Sequence, residues 1–365
     1  MLDDRPLAID LFCGAGGLSL GFVQAGFNII AAIDSDPLNA ATYGQNFPST
    51  TVICDDIFRL TARDIREAAQ LDEGQHIDVV FGGPPCQGFS TIGKRDIADP
   101  RNRLLAEFCR LVQELSPRLF VMENVAGLMY RESRCILEQS LGRLEEGSYK
   151  WVTPVRILDA QDYGVPQRRR RVFVLGFKKG EQQPLYPAPR RTGPTVWEAI
   201  SDLSHIARRR NLLAADVFVG SLGSPSAYAK KLRARSKGRV SGCRLCCHDS
   251  TVVDRFRKTA PGETEAVSRF ARLDKRKVAP TIRAGTPRSH GSFTAARPIH
   301  PTQPRCITVR EAARLQSFPD WFTFHPTQWH GFQQVGNAVP PYLAHAVARG
   351  VLRALRTHTK REGEA

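Results

Sequence analysis

Four short apolar runs, LAIDLF, NIIAAID, IDVVFG and RLFVMEN, recur between Leu7 and Asn124, and stretches of helical spacing separate or follow them. Runs of four to six apolar residues are too short for ordinary helices and read as strands buried on both faces. Gly17–Ala25, Pro37–Asn46, Ala62–Gln70 and Arg103–Leu115 read as the helices. Strands joined through helices cannot pair as hairpins, so the crossovers force a parallel sheet with helices on both faces. A further pair, WVTPVRIL and RVFVLGF, flanks the polar loop Asp159–Arg170 and is expected to complete the sheet. The expected class is α/β, a doubly wound sheet.

From about Tyr186 the pattern dissolves into Gly, Pro, Ser and Arg punctuation. The charge changes at the same place. Between Arg190 and Arg297 there are 23 Lys and Arg against 8 Asp and Glu, whereas the rest of the chain holds 29 against 28. Almost the whole net charge of +16 therefore sits in one segment. Segregated positive charge suits a polyanion, above all nucleic acid, better than it suits general solubility. The expected organisation is a catalytic and cofactor-binding domain over 1–187, a smaller irregular basic domain over 188–331, and a return to the first domain over 332–365. Thr308-Val-Arg-Glu311 is a capping box opening a short helix that ends near Ser317-Phe-Pro319. Pro340-Pro341 opens a last helix with Leu343, Val347, Val351 and Leu355 on one face, before a polar tail from Thr357 that is expected to fray.

In a doubly wound sheet, ligands bind beyond the carboxyl ends of the strands. The first strand ends in a glycine turn, Asp10-Leu-Phe-Cys-Gly14-Ala-Gly16-Gly17, and the second at Asp34. The third ends near Asp55-Asp56-Ile57, the fourth at Pro84-Pro85-Cys86 and the fifth at Glu123-Asn124-Val125. Acids without a neutralising base at the turn argue against a dinucleotide pyrophosphate. They suit a ligand with a ribose, an adenine amine and a cationic centre, a description that S-adenosylmethionine fits among other adenosyl compounds. In GGPPCQGFS the thiol of Cys86 is open to three readings: buried core thiol, metal ligand or nucleophile.

Together, DLFCGAGGLSLGF, GGPPCQGFS, MENV, QDYGVPQRRRRVFVLG, TVREAARLQSFPD and QVGNAVPP resemble the ordered motifs of the cytosine-C5 DNA methyltransferases, from Asp10 to Pro341. The resemblance implies a class I methyltransferase, Rossmann-like sheet with a small target-recognition domain, and S-adenosylmethionine as cofactor. It makes Cys86 the nucleophile that adds to cytosine C6, so that C5 gains the electron density to take the methyl group. Glu123 would hold the N3/N4 edge and share a proton at N3, with a raised pKa. Arg169 and Arg171 would bind the base's O2 or the adjacent phosphate. Phe12 is implied to stack on adenine, Gly14, Gly16 and Gly17 to line the methionine end, and Asp34 to take the ribose hydroxyls. Asp56 and Ile57 would take the adenine, Pro85 and Leu104 the pocket wall, and Asn337, Ala338 and Val339 would close the pocket. Ser35 departs from the larger residue that relatives often carry beside the adenine.

A thiol and a sulfonium cannot reach C5 and C6 of a stacked base together, so the cytosine must be flipped out. The loop Gly88–Asn102, with Gly93, Lys94 and Arg95, resembles the family's loop that closes on DNA. Gln87, Ser90, Lys94, Arg95 and Arg168 are the expected DNA contacts there. In the basic domain, Thr281 and Arg283 of Ala279-Pro-Thr281-Ile282-Arg283-Ala-Gly285 match a family landmark. The partner is then double-stranded DNA, read by a monomer with no obligate protein partner.

The nine cysteines, without a signal-peptide pattern at the start, read as thiols of a cytoplasmic protein, and Cys13, Cys54, Cys109, Cys135 and Cys306 as inert core residues. No apolar run approaches a membrane span. Cys243-Arg-Leu-Cys246-Cys247-His248 is half a zinc pattern without a second ligand pair nearby, so no metal is expected. Rival readings are a tRNA cytosine-5 methyltransferase on the same scaffold and a catalytically silent DNA-binding repressor.

Overall fold

The computed structural model describes residues 5–72, 74–85, 103–146, 148–189, 193–208, 210–286 and 297–362. The chain divides into two compact units. Unit 1 comprises Met1–Asp159, Arg170–Pro189 and Leu343–Ala365, and unit 2 comprises Ala160–Arg169 and Arg190–Tyr342. The junction after Pro189 lies close to the break in sequence pattern. Unit 2, however, also takes the loop 160–169 and keeps the chain until Tyr342, rather than releasing it at 332.

In unit 1, β1 (Leu7–Leu11), α1 (Gly17–Ala25), β2 (Asn28–Ile33), α2 (Pro37–Asn46), β3 (Thr51–Ile53), α3 (Ala62–Ala68), β4 (Val79–Gly82), α4 (Arg103–Leu115) and β5 (Leu119–Val125) follow one another. After them come α5 (Arg131–Glu146), β6 (Tyr149–Trp151), β7 (Arg156–Asp159) and β8 (Arg170–Lys178). The eight strands form one sheet in the order β3-β2-β1-β4-β5-β8-β6, with β7 also on β8. Strands β1 to β5 run parallel, and β8 is antiparallel to β5, β6 and β7. The order reverses between β1 and β4, so a crevice opens where the glycine turn and the GGPP segment leave the sheet.

Alternation along the strands divides the core into two faces. Ile9, Leu11, Val80, Phe120 and Met122 join α3, α4 and α5 residues such as Ile65, Phe108 and Leu141 in one buried cluster. On the opposite face Phe81 stacks on Phe22 of α1 at 4.0 Å. Gly21 of α1 lies so close to Ala344 that a Cβ there would come within 2.3 Å of its side chain. Ala344 belongs to α11 (Pro341–Glu362), which runs on past Thr357. Cys54 and Cys135 are exposed, not core thiols as expected.

Unit 2 is built from short pieces: α6 (Val196–Ile200), the two-residue strands β9 (Phe218–Val219) and β10 (Arg239–Val240), α7 (Ala227–Arg233), α8 (Ser250–Lys258), α9 (Val309–Leu315) and α10 (Gln328–Asn337). Beside the apolar residues that these elements bury, arginine side chains knit the connecting loops. Arg310 donates to the carbonyls of Ser241, Pro319 and Phe322 at 2.8, 2.9 and 2.6 Å. Arg314 is fully buried and pairs with Asp202 and Asp320. Arg272 donates to the carbonyls of Phe256 and Thr259 at 2.7 and 2.9 Å. Part of unit 2's positive charge is thus structural. The Thr308 capping box forms with both reciprocal bonds to Glu311 present, and the helix it opens stops at Leu315.

Candidate active site

The glycine turn after β1 is held from the end of β2. Gly14 N–H donates to Asp34 Oδ2 at 2.8 Å, while Asp34 Oδ1 accepts from Asp36 N–H at 2.9 Å and Asn39 Nδ2 at 3.3 Å. A carboxylate offers about four acceptor positions, so one remains on Oδ2 for a ligand hydroxyl. Burial pushes the Asp34 pKa up, and these hydrogen bonds pull against the shift. Asp34 therefore both builds the turn and is placed to receive the ribose expected of it.

Phe12 sits at φ 66, a left-handed conformation that a phenylalanine keeps only when its surroundings enforce it. Gly14 is also left-handed, and a Cβ built on it would meet nothing within 4 Å, so open space faces the turn there. Gly16, at φ 96, caps α1, and a Cβ on it would strike the Phe47 ring at 2.3 Å. Gly17 is buried in the first turn of α1. The strand-end acid Asp10 does not face this space. It is fully buried, accepts from Ser19 Oγ at 2.6 Å, and Tyr43 Oη donates in turn to Ser19 at 2.7 Å. Burial drives its pKa well up, the Ser19 hydrogen bond pulls against that shift, and through Ser19 the side chain ties β1 to α1 and α2.

After β3, Asp56 accepts from Phe58 N–H at 3.1 Å and caps the 3-10 turn Ile57–Arg59. Its side chain is exposed while Ile57 is buried. Leu104 is half-buried on α4 against the main cluster, and Pro85 is exposed. Cys86, Gln87, Ser90, Lys94 and Arg95 lie outside the described residues.

At the ends of β4, β5 and β8 the chain crowds together. A Cβ on Gly82 would fall 1.9 Å from the Leu11 carbonyl oxygen, and one on Gly83 would fall 2.8 Å from Glu123 Oε2. Both glycines are therefore dictated by close approach. Glu123 is 8% exposed and pairs with Arg171 Nε at 2.9 Å. Burial lowers the Arg171 pKa, and the Glu123 charge opposes that shift. The next residue, Asn124, donates from Nδ2 to the Pro84 carbonyl at 3.1 Å and accepts from Val125 N–H at 2.8 Å. It fastens the segment leading to Cys86 onto the end of β5. The sequence reading gave Asn124 no role, although its place in the MENV motif was a usable signal.

Unit 2 contains the remaining expected residues. Arg168 is exposed, and its N–H donates to the Ala279 carbonyl at 2.8 Å. Thr281 Oγ1 donates to the Arg168 carbonyl at 2.7 Å, and Arg283 is exposed. Arg169 is placed differently from a base-binding group. It is 1% exposed and donates to the carbonyls of Ile282 at 3.0 Å and Gly336 at 2.7 Å. Gln167, which the sequence reading passed over, accepts from Ile282 N–H at 3.0 Å and donates to the Leu315 carbonyl at 3.3 Å. Gly336 approaches Ala284 so closely that a Cβ would sit 2.4 Å from its nitrogen. Gln167 and Arg169 thus lace the Thr281–Arg283 landmark to the segment that continues into Asn337, Ala338 and Val339. Asn337 is exposed, Ala338 half-buried and Val339 buried.

Among the described residues no group of three or more His, Cys, Asp or Glu is placed to hold a metal, and no helix is long and apolar enough to cross a membrane.

The chain is similar to known proteins along almost its whole length. A profile of the C-5 cytosine-specific DNA methylases matches residues 7–353. The Type II methyltransferase M.XorII of Xanthomonas oryzae pv. oryzae is 45% identical over 99% of this chain and 88% of its own length. M.DdeI of Desulfomicrobium norvegicum is 35% identical over 94% of this chain and 88% of its own. A crystal structure of a prophage-encoded DNA modification methyltransferase (E. coli) superposes with a TM-score of 0.82 at 33% identity, over 96% of this chain and all of that one. The S. pombe Dnmt2 methyltransferase structure, at 17% identity and a TM-score of 0.61 over 96% of this chain and all of that one, shares the fold. With the motifs and the sheet in agreement, the chain belongs to the C-5 cytosine-specific DNA methylase family, whose members transfer a methyl group from S-adenosylmethionine.

Proposed function

We propose that this DNA (cytosine-5-)-methyltransferase works on a cytosine flipped out of duplex DNA, with Cys86 as nucleophile and Glu123 and Arg171 at the base. The observation that supports it most is the crowding of Gly83, Pro84, Glu123, Asn124 and Arg171 at the ends of β4, β5 and β8. Asn124 and the two glycines fix where the segment entering Cys86 leaves the sheet. The thiolate adds to C6, Glu123 holds the N3/N4 edge and moves a proton at N3, and Arg171 keeps the Glu123 carboxylate in place. Loss of the C5 proton and elimination of the thiol then restore the aromatic ring.

S-adenosylmethionine, when bound, supplies the methyl group as an electrophile. The residues on unit 1 fit it: open space before Gly14, an enforced backbone at Phe12, one remaining acceptor position on Asp34, and Asp56 exposed at the next strand end. Leu104 and Pro85 supply apolar surface. Arg169 acts as a positioning residue for the Thr281–Arg283 segment, which with Arg168 and the loop residues Gln87, Ser90, Lys94 and Arg95 meets the DNA. Sequence-specific modification of the Type II kind, by a monomer acting in the cytoplasm of a bacterium, completes the reading.

The test is trapping on duplex DNA containing 5-fluorocytosine, where the C5 fluorine cannot leave as a proton. A denaturation-resistant adduct that forms with the wild type and not with Cys86→Ser supports the mechanism. Wild-type methylation kinetics in Cys86→Ser would exclude it. Running tRNA beside DNA as substrate separates the two methyltransferase readings. Tight DNA binding without turnover on any duplex would favour the silent repressor.

A further inference from the structure

The cysteine-rich stretch that the function does not use, Cys243 to His248, carries chemistry of its own. Its side chains diverge. Cys243 is buried and donates to the Val240 carbonyl at 3.5 Å, while Cys247 is exposed. Cys246, half-buried, packs against the cluster of Phe256, Ile299 and Cys306, and its Sγ donates to Gln328 Oε1 at 3.5 Å. Both sulfurs also meet Arg297: its Nη1 donates to Cys246 Sγ at 3.6 Å, and its carbonyl accepts from Cys306 Sγ at 3.9 Å. His248 Nε2 accepts from Cys306 N–H at 3.3 Å, tying the two segments together just beside the thiols. All these residues belong to unit 2.

Two free thiols packed into one cluster, 60 positions apart in the chain and with a guanidinium on one of them, are not the arrangement of inert core cysteines. The adjoining Cys306 thiol and the Arg297 charge hold the Cys246 thiol below its usual range, and the neighbouring Cys246 together with burial raises that of Cys306. Cys246 is the reachable and more readily ionised sulfur, and Cys306 the buried partner.

We infer that Cys246 and Cys306 form an oxidisable dithiol that hydroperoxides close to a reversible intramolecular disulfide. The Cys246 thiolate attacks a peroxide oxygen, the O–O bond breaks, and the departing oxygen takes a proton from water and leaves as alcohol or water. Cys246 is then a sulfenic acid. Cys306 sulfur attacks it, the S–OH bond breaks, and the hydroxide leaves as water with the Cys306 proton. Two electrons pass from the sulfur pair to one hydroperoxide. Closure removes the thiolate from Arg297, which keeps Gln328 Oε1 at 3.3 Å and the Phe332 ring at 5.1 Å, both on α10. A reducing environment reopens the bond, so the pair behaves as a sensor and not as a structural crosslink.

The experiment treats the full-length protein with stoichiometric hydrogen peroxide and maps its peptides without reduction. The expected product is a Cys246–Cys306 crosslink, lost on adding dithiothreitol. At sub-stoichiometric peroxide, Cys246 should oxidise on the order of tenfold faster than its exposed neighbour Cys247. In Cys306→Ser the reaction should stop at a sulfenic acid on Cys246 that dimedone captures, and Arg297→Gln should slow that step several-fold. The wild-type map alone decides the matter if Cys306→Ser fails to fold. A Cys246–Cys247 bond, a Cys306 that stays alkylatable after oxidation under denaturing conditions, or equal rates at Cys246 and Cys247 would overturn the inference.

Discussion

Gly83→Ala is the sharpest perturbation of the site. Its added Cβ would lie 2.8 Å from Glu123 Oε2, where ordinary contact begins at 3.4 Å. The carboxylate must therefore retreat by about 0.6 Å, against its pairing with Arg171. A misplacement of about 1 Å at a catalytic group costs roughly 10²-fold, so kcat should fall about 10- to 100-fold. The fold should not suffer. Gly83 is outside the left-handed region, so alanine is allowed there, and the lower unfolded-state entropy adds roughly 0.4–1 kcal/mol against the contact. The Tm should stay within about 5 °C of wild type.

Its neighbour is the control. In Gly82→Ala the Cβ would fall 1.9 Å from the Leu11 carbonyl, on the strand with which Gly82 is in register. Backbone cannot step aside, and the loss should be roughly 3 kcal/mol or more of stability. Methyl transfer to unmethylated duplex DNA, read with labelled S-adenosylmethionine beside thermal melts, separates the two. A Gly83→Ala enzyme with wild-type kcat, or one whose activity falls only in step with its Tm, would refute the argument that Gly83 sets the Glu123 position.

Glu123→Gln should keep the fold, because the amide oxygen still accepts from Arg171, while kcat and trapping on 5-fluorocytosine fall about 10²- to 10⁴-fold. Arg169→Met leaves the Ile282 and Gly336 carbonyls without their donor, and urea unfolding should register a loss of about 2–5 kcal/mol that Arg169→Lys does not restore. Burial holds the His300 pKa down to about 4, so its unfolded-state proton uptake should lower stability as pH drops from about 6.5 to about 4, a slope that His300→Gln removes in melts across that range. Glu311 is buried, which raises its pKa, but Arg305 overrides this and holds it at about 2. Its contribution is present above about 4.5 and is lost as pH falls toward 2, extending acid unfolding below the histidine window.

The parallel strands and the glycine turn were legible because their patterns are local. Period, run length and punctuation identify β1, β2, β4, β5 and the helix Arg103–Leu115 without reference to any distant residue. The antiparallel end of the sheet was half legible: β8 shows as an apolar run, but Tyr149–Trp151 and Arg156–Asp159 are too short to separate in WVTPVRIL. Helix α5 carries an ordinary mixture of charged and apolar residues and was passed over. Unit 2 resisted because its order comes from side-chain donors to loop carbonyls, which leave no periodic trace. A run of four arginines reads as a phosphate-facing stripe, yet Arg169 turns inward to Ile282 and Gly336, and Arg171 to Glu123.

The sequence by itself determined the α/β class, the family and the residues at the strand ends, because motif order and residue chemistry survive in one dimension. Only the tertiary structure decided what those residues do to one another. It made Asp34 a builder of the glycine turn, Asn124 a clasp on the Pro84 carbonyl and Arg169 a support for the Thr281–Arg283 segment, and it packed Cys246 into the cluster of Cys306. Each of these depends on a contact between positions distant in the chain, and such contacts exist only once the chain has folded.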